Sequence, residues 1–168
     1  DAEIIDKNVI KVNFTSEVKE FSTSEVSYQA EAVIITTGAS SLRLDVPGEK
    51  ELLGRGVATC AVCDAPFYQN KVAAVVGGGD AACEDSLALT KFAKQVYLIV
   101  RREALRASKI MADRVMNHPK IKILWNSQVK QISGKQKVEA VEFLSGEKLT
   151  TDGVFLAIGH RPATGIFK

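Results

Sequence analysis

An apolar run, Val72-Ala73-Ala74-Val75-Val76, passes directly into Gly77-Gly78-Gly79-Asp80-Ala81-Ala82, and this junction restricts the fold more than any other stretch of the chain. The run predicts a strand. The segment that follows, Asp80 to Phe92, places Ala82, Leu87, Leu89 and Phe92 where a helix packed on a sheet needs them. A glycine turn of the form G-x-G-x-x-A between a strand and a helix is the fingerprint of a dinucleotide-binding unit. In that arrangement Gly77 allows the tight turn, Gly79 lets a pyrophosphate approach the backbone, and Ala82 keeps helix and strand close. The free N–H groups and positive dipole end of the helix then face the phosphates. Gly77, Gly78, Gly79, Asp80, Ala81 and Ala82 are therefore the candidate contacts. The alternative is a structural turn without a ligand, although consecutive glycines carry an entropy cost that such a turn does not need.

The nucleotide is chosen at the end of the next strand, about 20 residues further on, where a carboxylate suits the ribose of NAD and arginine suits the 2′-phosphate of NADP. Gln95 to Val100 reads as that strand. It ends on Arg101-Arg102, with Arg106 a turn later. Guanidinium groups stay charged and bind phosphate through paired hydrogen bonds, so these residues favour NADPH. A solvated basic run at a strand end is the competing reading.

Upstream lies Cys60-Ala61-Val62-Cys63-Asp64. Half of a zinc site is one reading of Cys-x-x-Cys, but the remaining candidates, Cys83, His118 and His160, stand at no ligand spacing, so no metal is expected. Unrelated core thiols are another. Two cysteines this close favour redox chemistry, and Asp64 beside them can carry the proton that thiol–disulfide exchange must move. Cys83, inside the predicted helix, reads as a small core residue.

Around this centre the chain reads as flanking pieces. Ile4-Ile5, Val9 to Val12, Phe14, Val18 to Phe21 and Val26 to Tyr28 predict a small antiparallel ribbon, and Ala32 to Thr36 a buried strand ending at Thr37-Gly38-Ala39. Leu44 to Glu49 is a linker with a Pro-Gly turn. After Arg106, the spacing predicts a helix over 108–117, with Ser108 as its N-cap and Ile110, Met111 and Val115 as its apolar face. Ile121 to Leu124 is the next strand. Trp125 to Ser133, Val138 to Leu144 and Glu147 to Thr150 predict a β-meander, and Gly153 to Ile158 a final strand. This order predicts an α/β fold: a Rossmann-like three-layer nucleotide-binding domain with a meander.

At 46% hydrophobic residues and a net charge of +2, the chain reads as an ordinary globular domain, with nothing pointing to disorder or to nucleic acid. The 168 residues suffice for one core with flanking pieces. An odd cysteine count is no secreted disulfide framework, so a reducing, cytoplasmic home is expected. No apolar run has the length of a membrane span, and no membrane association is expected. The start at Asp1 rather than methionine reads as a fragment or processed product.

C-A-V-C-D, V-V-G-G-G-D-A-A, R-R-E-A-L-R-A-S-K-I-M and A-I-G-H-R-P-A-T, in this order, resemble the low-molecular-weight thioredoxin reductases, the fungal and plant type in particular. The resemblance covers nearly the whole chain. It implies a flavoprotein homodimer in which an NADPH domain with the redox dithiol is inserted into a split FAD domain. Residues 1–47 would then be a remnant of the FAD domain, 48–157 the NADPH domain, and 158–168 the return to the FAD domain. Electrons would pass from NADPH through FAD to a Cys60–Cys63 disulfide and on to thioredoxin. Cys63 would lie nearer the flavin, Cys60 would attack thioredoxin, and Asp64 would be the acid–base residue. Ile158 and Gly159 would join the NADPH contacts, and Val9, Thr37 and Gly38 would touch FAD.

The chain departs from the family at Thr36, at Val100 in place of a histidine, and at Ala65-Pro66, where a glycine is usual and Ala65 would resist a positive φ. A second glycine fingerprint, for FAD, is missing. The chain is therefore expected to be an internal portion that does not hold FAD tightly, and the alternative function is NADPH binding without turnover.

Overall fold

The computed structural model describes residues 2–167; Asp1 and Lys168, which bound the expected outer segments, lie outside them. The chain divides into two compact units, residues 1–40 with 160–168 and residues 41–159.

In the smaller unit β1 (Lys11–Asn13), β2 (Lys19–Ser22) and β3 (Ser27–Ala30) form the antiparallel ribbon expected from the sequence. Phe21 stands opposite Tyr28, and the rings stack at 5.3 Å. Cross-strand aromatic pairs of this kind are the unit of sheet stabilisation. Thr23 closes the β2–β3 turn, its hydroxyl oxygen accepting the N–H groups of Glu25 and Val26. The strand expected over 32–36 does not form. That stretch is irregular, and Ile34 is 90% exposed. No strand among the described residues pairs with it, and a β-branched run gains no burial without a neighbouring strand. A short strand β4 (Ala39–Ser41) follows at the boundary of the unit.

Residues 41–159 contain a five-stranded parallel sheet. Its strands are β5 (Val57–Ala58), β6 (Val72–Val76), β7 (Gln95–Ile99), β8 (Ile121–Leu124) and, after the meander, β12 (Gly153–Leu156), in the order β5-β12-β6-β7-β8. Between them run α1 (Ala61–Asp64), a 3₁₀ turn (Ala65–Tyr68), α2 (Asp80–Thr90) and α3 (Lys109–Met116). The meander is β9 (Val129–Ser133), β10 (Ala140–Phe143) and β11 (Lys148–Thr150), with β10 in the middle.

Strand periodicity explains the three layers. Ala73 and Val75 point to one face of the sheet with Val96, Leu98 and Phe155, where they meet Ala82 and Leu89 of α2 and Val115 of α3. Ala74 and Val76 point to the other face with Ile99, Val154 and Leu156, against Ile132, Val141 and Phe143 of the meander. A strand buried on both faces needs apolar residues at every position, and Val72–Val76 supplies them.

Helix α3 corrects one expectation. Val115 is fully buried and Met111 partly so, but Ile110 is 74% exposed. Residues 111 and 115 share a face at i, i+4, and Ile110 is rotated about 100° away from it. Ser108 takes the N-cap position without a capping hydrogen bond from its side chain. Last comes β13 (His160–Pro162), which pairs with β4. No helix among the described residues is long and apolar enough to cross a membrane.

Candidate functional site

A crevice of about 600 Å³ opens at the C-terminal ends of β6, β7 and β12. That edge is where parallel α/β sheets bind ligands. Val76, Ile99 and Val100 form an apolar floor, and Gly77, Gly78, Gly79, Asp80 and Ala81 form one wall. A Cβ on Gly77 would strike the carbonyl of Ala157 and approach Ala82 Cβ at 2.8 Å, so glycine is required there for strand and helix to meet. At Gly79 a Cβ would meet nothing within 4 Å. Backbone is therefore presented to open space at the N-cap of α2, with no side-chain cap on the first N–H groups. Such an end is suited to an anion.

Arg101, Arg102 and Arg106 line the same crevice, exposed and, among the described residues, in no ion pair. Their loop is tied to the glycine turn at two points. Arg106 N–H donates to the Gly78 carbonyl at 2.6 Å, and Ser108 donates to Asp80 Oδ1 from its N–H at 2.9 Å and its hydroxyl at 2.8 Å. The Ser108 hydroxyl is thus used on α2 rather than on its own helix. Ile158 and Gly159 complete the crevice from the β12 side. Ala82 does not reach the wall; it is fully buried beneath Gly77, a packing role. The cradle fits a nicotinamide dinucleotide in shape and charge: bare backbone at a helix start, then free guanidinium groups one strand away.

Sequence reading missed Arg43, which also lines this crevice, and Glu49, which lies 3.8 Å from it. The pattern R-L-D-V-P-G-E held the clue, because a Pro-Gly turn can bring the arginine and the glutamate back together.

The second locus is the dithiol. Cys60 and Cys63 are joined as a disulfide with Cα atoms 5.4 Å apart, and both residues are exposed. Cys60 is the N-cap of α1, its Sγ accepting the Cys63 N–H at 3.3 Å. Ala65 adopts φ −51°, so no positive φ is demanded where the family has glycine, and Pro66 sits at the start of the 3₁₀ turn, where its fixed φ is welcome. Ala61 and Ala65 share one apolar cluster with Ala82 and Cys83, which seats the dithiol helix on the helix that begins at the glycine turn. Cys83 itself is fully buried, and burial followed by the charges of Asp80 and Glu84 pushes its thiol up to about 11.

Asp64 lines a smaller pocket of about 320 Å³ with Arg55, Lys71, Lys137, Asp152, Phe67 and Tyr68. Tyr68 is buried edge-on to Phe155 at 5.0 Å. Burial, then Asp64 and Asp152, push its hydroxyl up to about 12. Val62 and Phe67 are 71% and 72% exposed beside the disulfide. By contrast, Val9, Thr37 and Gly38 are exposed and line neither of these two pockets, and Gly38, at φ 72°, has open space around it.

The family model for pyridine nucleotide-disulphide oxidoreductases matches residues 2–168. The chain is similar to the thioredoxin reductase of Pneumocystis carinii, at 44% identity over 99% of this chain and 55% of that protein. With the thioredoxin reductase of Yarrowia lipolytica the identity is 45%, over 99% and 56%. Among solved structures, thioredoxin reductase from Giardia duodenalis superposes with a TM-score of 0.85 at 37% identity, covering 98% of this chain and 56% of that one. The chain spans about half the length of the curated relatives it matches.

Proposed function

This chain belongs to the pyridine nucleotide-disulphide oxidoreductase family, and on that premise we propose that its activity, in the complete protein, is NADPH-dependent reduction of the disulfide of thioredoxin. The observation that carries this reading is the seating of an exposed disulfide, Cys60–Cys63, on the helix whose first turn forms the dinucleotide cradle. On this reading residues 48–157 are the NADPH domain, residues 1–47 and 158–168 belong to the FAD domain, and the complete protein is a cytoplasmic homodimer.

NADPH would lie with its pyrophosphate on Gly77–Ala81 and its 2′-phosphate at Arg101, Arg102 and Arg106. FAD, when bound, would supply a two-electron carrier between nicotinamide and disulfide. Once reduced, the Cys60 thiolate attacks the disulfide of thioredoxin, forming a mixed disulfide and releasing one thioredoxin thiolate. The Cys63 thiolate then attacks Cys60 Sγ, which re-forms the Cys60–Cys63 bond and releases the second thioredoxin thiolate. Asp64 holds and returns the protons that these steps move.

The test is oxidation of NADPH in the presence of thioredoxin by the complete, flavin-loaded protein. Turnover is expected, lost in Cys60→Ser; undiminished turnover in that variant overturns the mechanism. In the same assay Arg101→Ala with Arg102→Ala removes the preference for NADPH over NADH, at about 1.5–3 kcal/mol per charged hydrogen bond lost.

A further inference from the structure

Glu49 is only 3% exposed, and a carboxylate is almost never buried to that degree without a charged partner. One of its oxygens accepts the Asp45 N–H at 2.8 Å. The other, Oε1, accepts no hydrogen bond, and Arg43 Nη1 stands 3.8 Å from it. The backbone is shaped to hold this carboxylate in place. Asp45 takes φ 56°, a left-handed conformation uncommon outside glycine, and the bonded N–H is its own. Gly48, at φ 83°, presses so closely on Ile132 that a Cβ would collide with the Ile132 carbonyl. Pro47 accepts the Ile132 N–H at 2.9 Å on the same edge.

Arg43 is held differently. Its side chain is 39% exposed, so burial does not explain its tether, and its guanidinium has more donors than the one that approaches Glu49. Arg43 also lines the crevice. Leu42, next to it, donates its N–H to the Gly159 carbonyl at 2.9 Å, which fixes the start of this segment at the β12 end of the crevice. Arg101, Arg102 and Arg106 follow β7, on the other side of β6 and its glycine turn. A nicotinamide dinucleotide carries anionic charge at the ribose phosphate and at the pyrophosphate, and the latter is common to NADPH and NADH.

We infer that Arg43 is a second anion-binding residue of the crevice, contacting the pyrophosphate rather than the 2′-phosphate, and that Glu49 positions it. The inference rests on the NADPH reading above. Arg43 then supplies affinity without discriminating between the two nucleotides, while the β7 arginines supply the discrimination. Glu49 keeps the guanidinium facing the ligand instead of solvent.

The experiment is equilibrium titration of the purified chain, without flavin, with NADPH, NADH and adenosine 2′-monophosphate. Arg43→Ala weakens NADPH and NADH by the same factor, about tenfold for one charged hydrogen bond, and leaves the monophosphate unchanged. Glu49→Gln keeps an acceptor for the Asp45 N–H, weakens both dinucleotides about threefold by freeing Arg43, and adds nothing in an Arg43→Ala background. Because Arg43→Ala alone leaves a buried carboxylate without its cation, the neutral double variant is the safeguard against misfolding, with its melting temperature followed in parallel. Unchanged binding of both dinucleotides by the folded double variant overturns the inference. So does a loss shared by NADPH and the monophosphate but not by NADH. Additive losses from the two substitutions overturn the positioning role of Glu49. A wild-type chain that binds no NADPH overturns the cofactor reading along with it, whereas wild-type binding with an indifferent Arg43 overturns this inference alone.

Discussion

Two apolar runs of similar composition meet opposite fates in this molecule. Val72–Val76 pairs with β12 on one side and β7 on the other, and Ala73 to Val76 are buried. Ala32–Thr36 pairs with nothing among the described residues, and Ile34 and Ile35 stand 90% and 49% exposed. Every buried apolar side chain among the described residues lies in the 41–159 unit; the smaller unit buries only Thr23. Hydrophobicity of a run is therefore not what buries it. Two strand neighbours and two covering layers are, and only the larger unit provides them for its own strands.

Unfolding measurements can break this comparison. The largest effect is expected for Phe155→Ala, which empties the ring site facing Tyr68 on the helical side of the sheet and costs about 3–5 kcal/mol in a denaturant titration. Ile34→Ala, read in the same way, stays within about 0.5 kcal/mol. Equal losses would mean that the two units share their stability. Next comes Gly153→Ala, whose methyl group collides with the Tyr68 hydroxyl and ring. Overpacking of this kind costs about 1–3 kcal/mol and falls on the larger unit alone.

A further effect is alkaline. The Tyr68 hydroxyl is raised from 10.0 to about 12 by burial and by Asp64 and Asp152, so the folded state holds its proton where the unfolded state has lost it. Its contribution is fully present below pH 10 and is lost as the pH rises toward 12. Cys83, raised from 9.0 to about 11, acts in the same direction over its own range. Tyr68→Phe flattens the upper part of this decline in melting experiments on the larger unit, and an unchanged slope would remove Tyr68 from the account.

Much of the larger unit was legible because its signals are local. Strand β6, the glycine turn, strand β8 and the meander follow from periodicity and turn residues within a few positions. The place of Arg101, Arg102 and Arg106 in the crevice lining is legible because fingerprint spacing puts them at a strand end. What escaped depends on local backbone conformation that the residue pattern does not display. Glu49 became visible only when the Pro-Gly turn carried it back to Arg43, and Ile110 was misassigned because an eight-residue helix buries a narrower face than its apolar residues advertise. Ala65 was expected to strain the turn after the dithiol; the 3₁₀ geometry removed that demand.

The loop bearing Arg106 is fastened to the glycine turn through Gly78 and Asp80, whose partners are Arg106 and Ser108. Three hydrogen bonds thereby join the arginine segment to the helix start, so the separation between the two is fixed by the fold itself. If the crevice takes NADPH as proposed, a phosphate on the neighbouring ribose carbon would meet the same guanidinium groups at a different interval from the helix start.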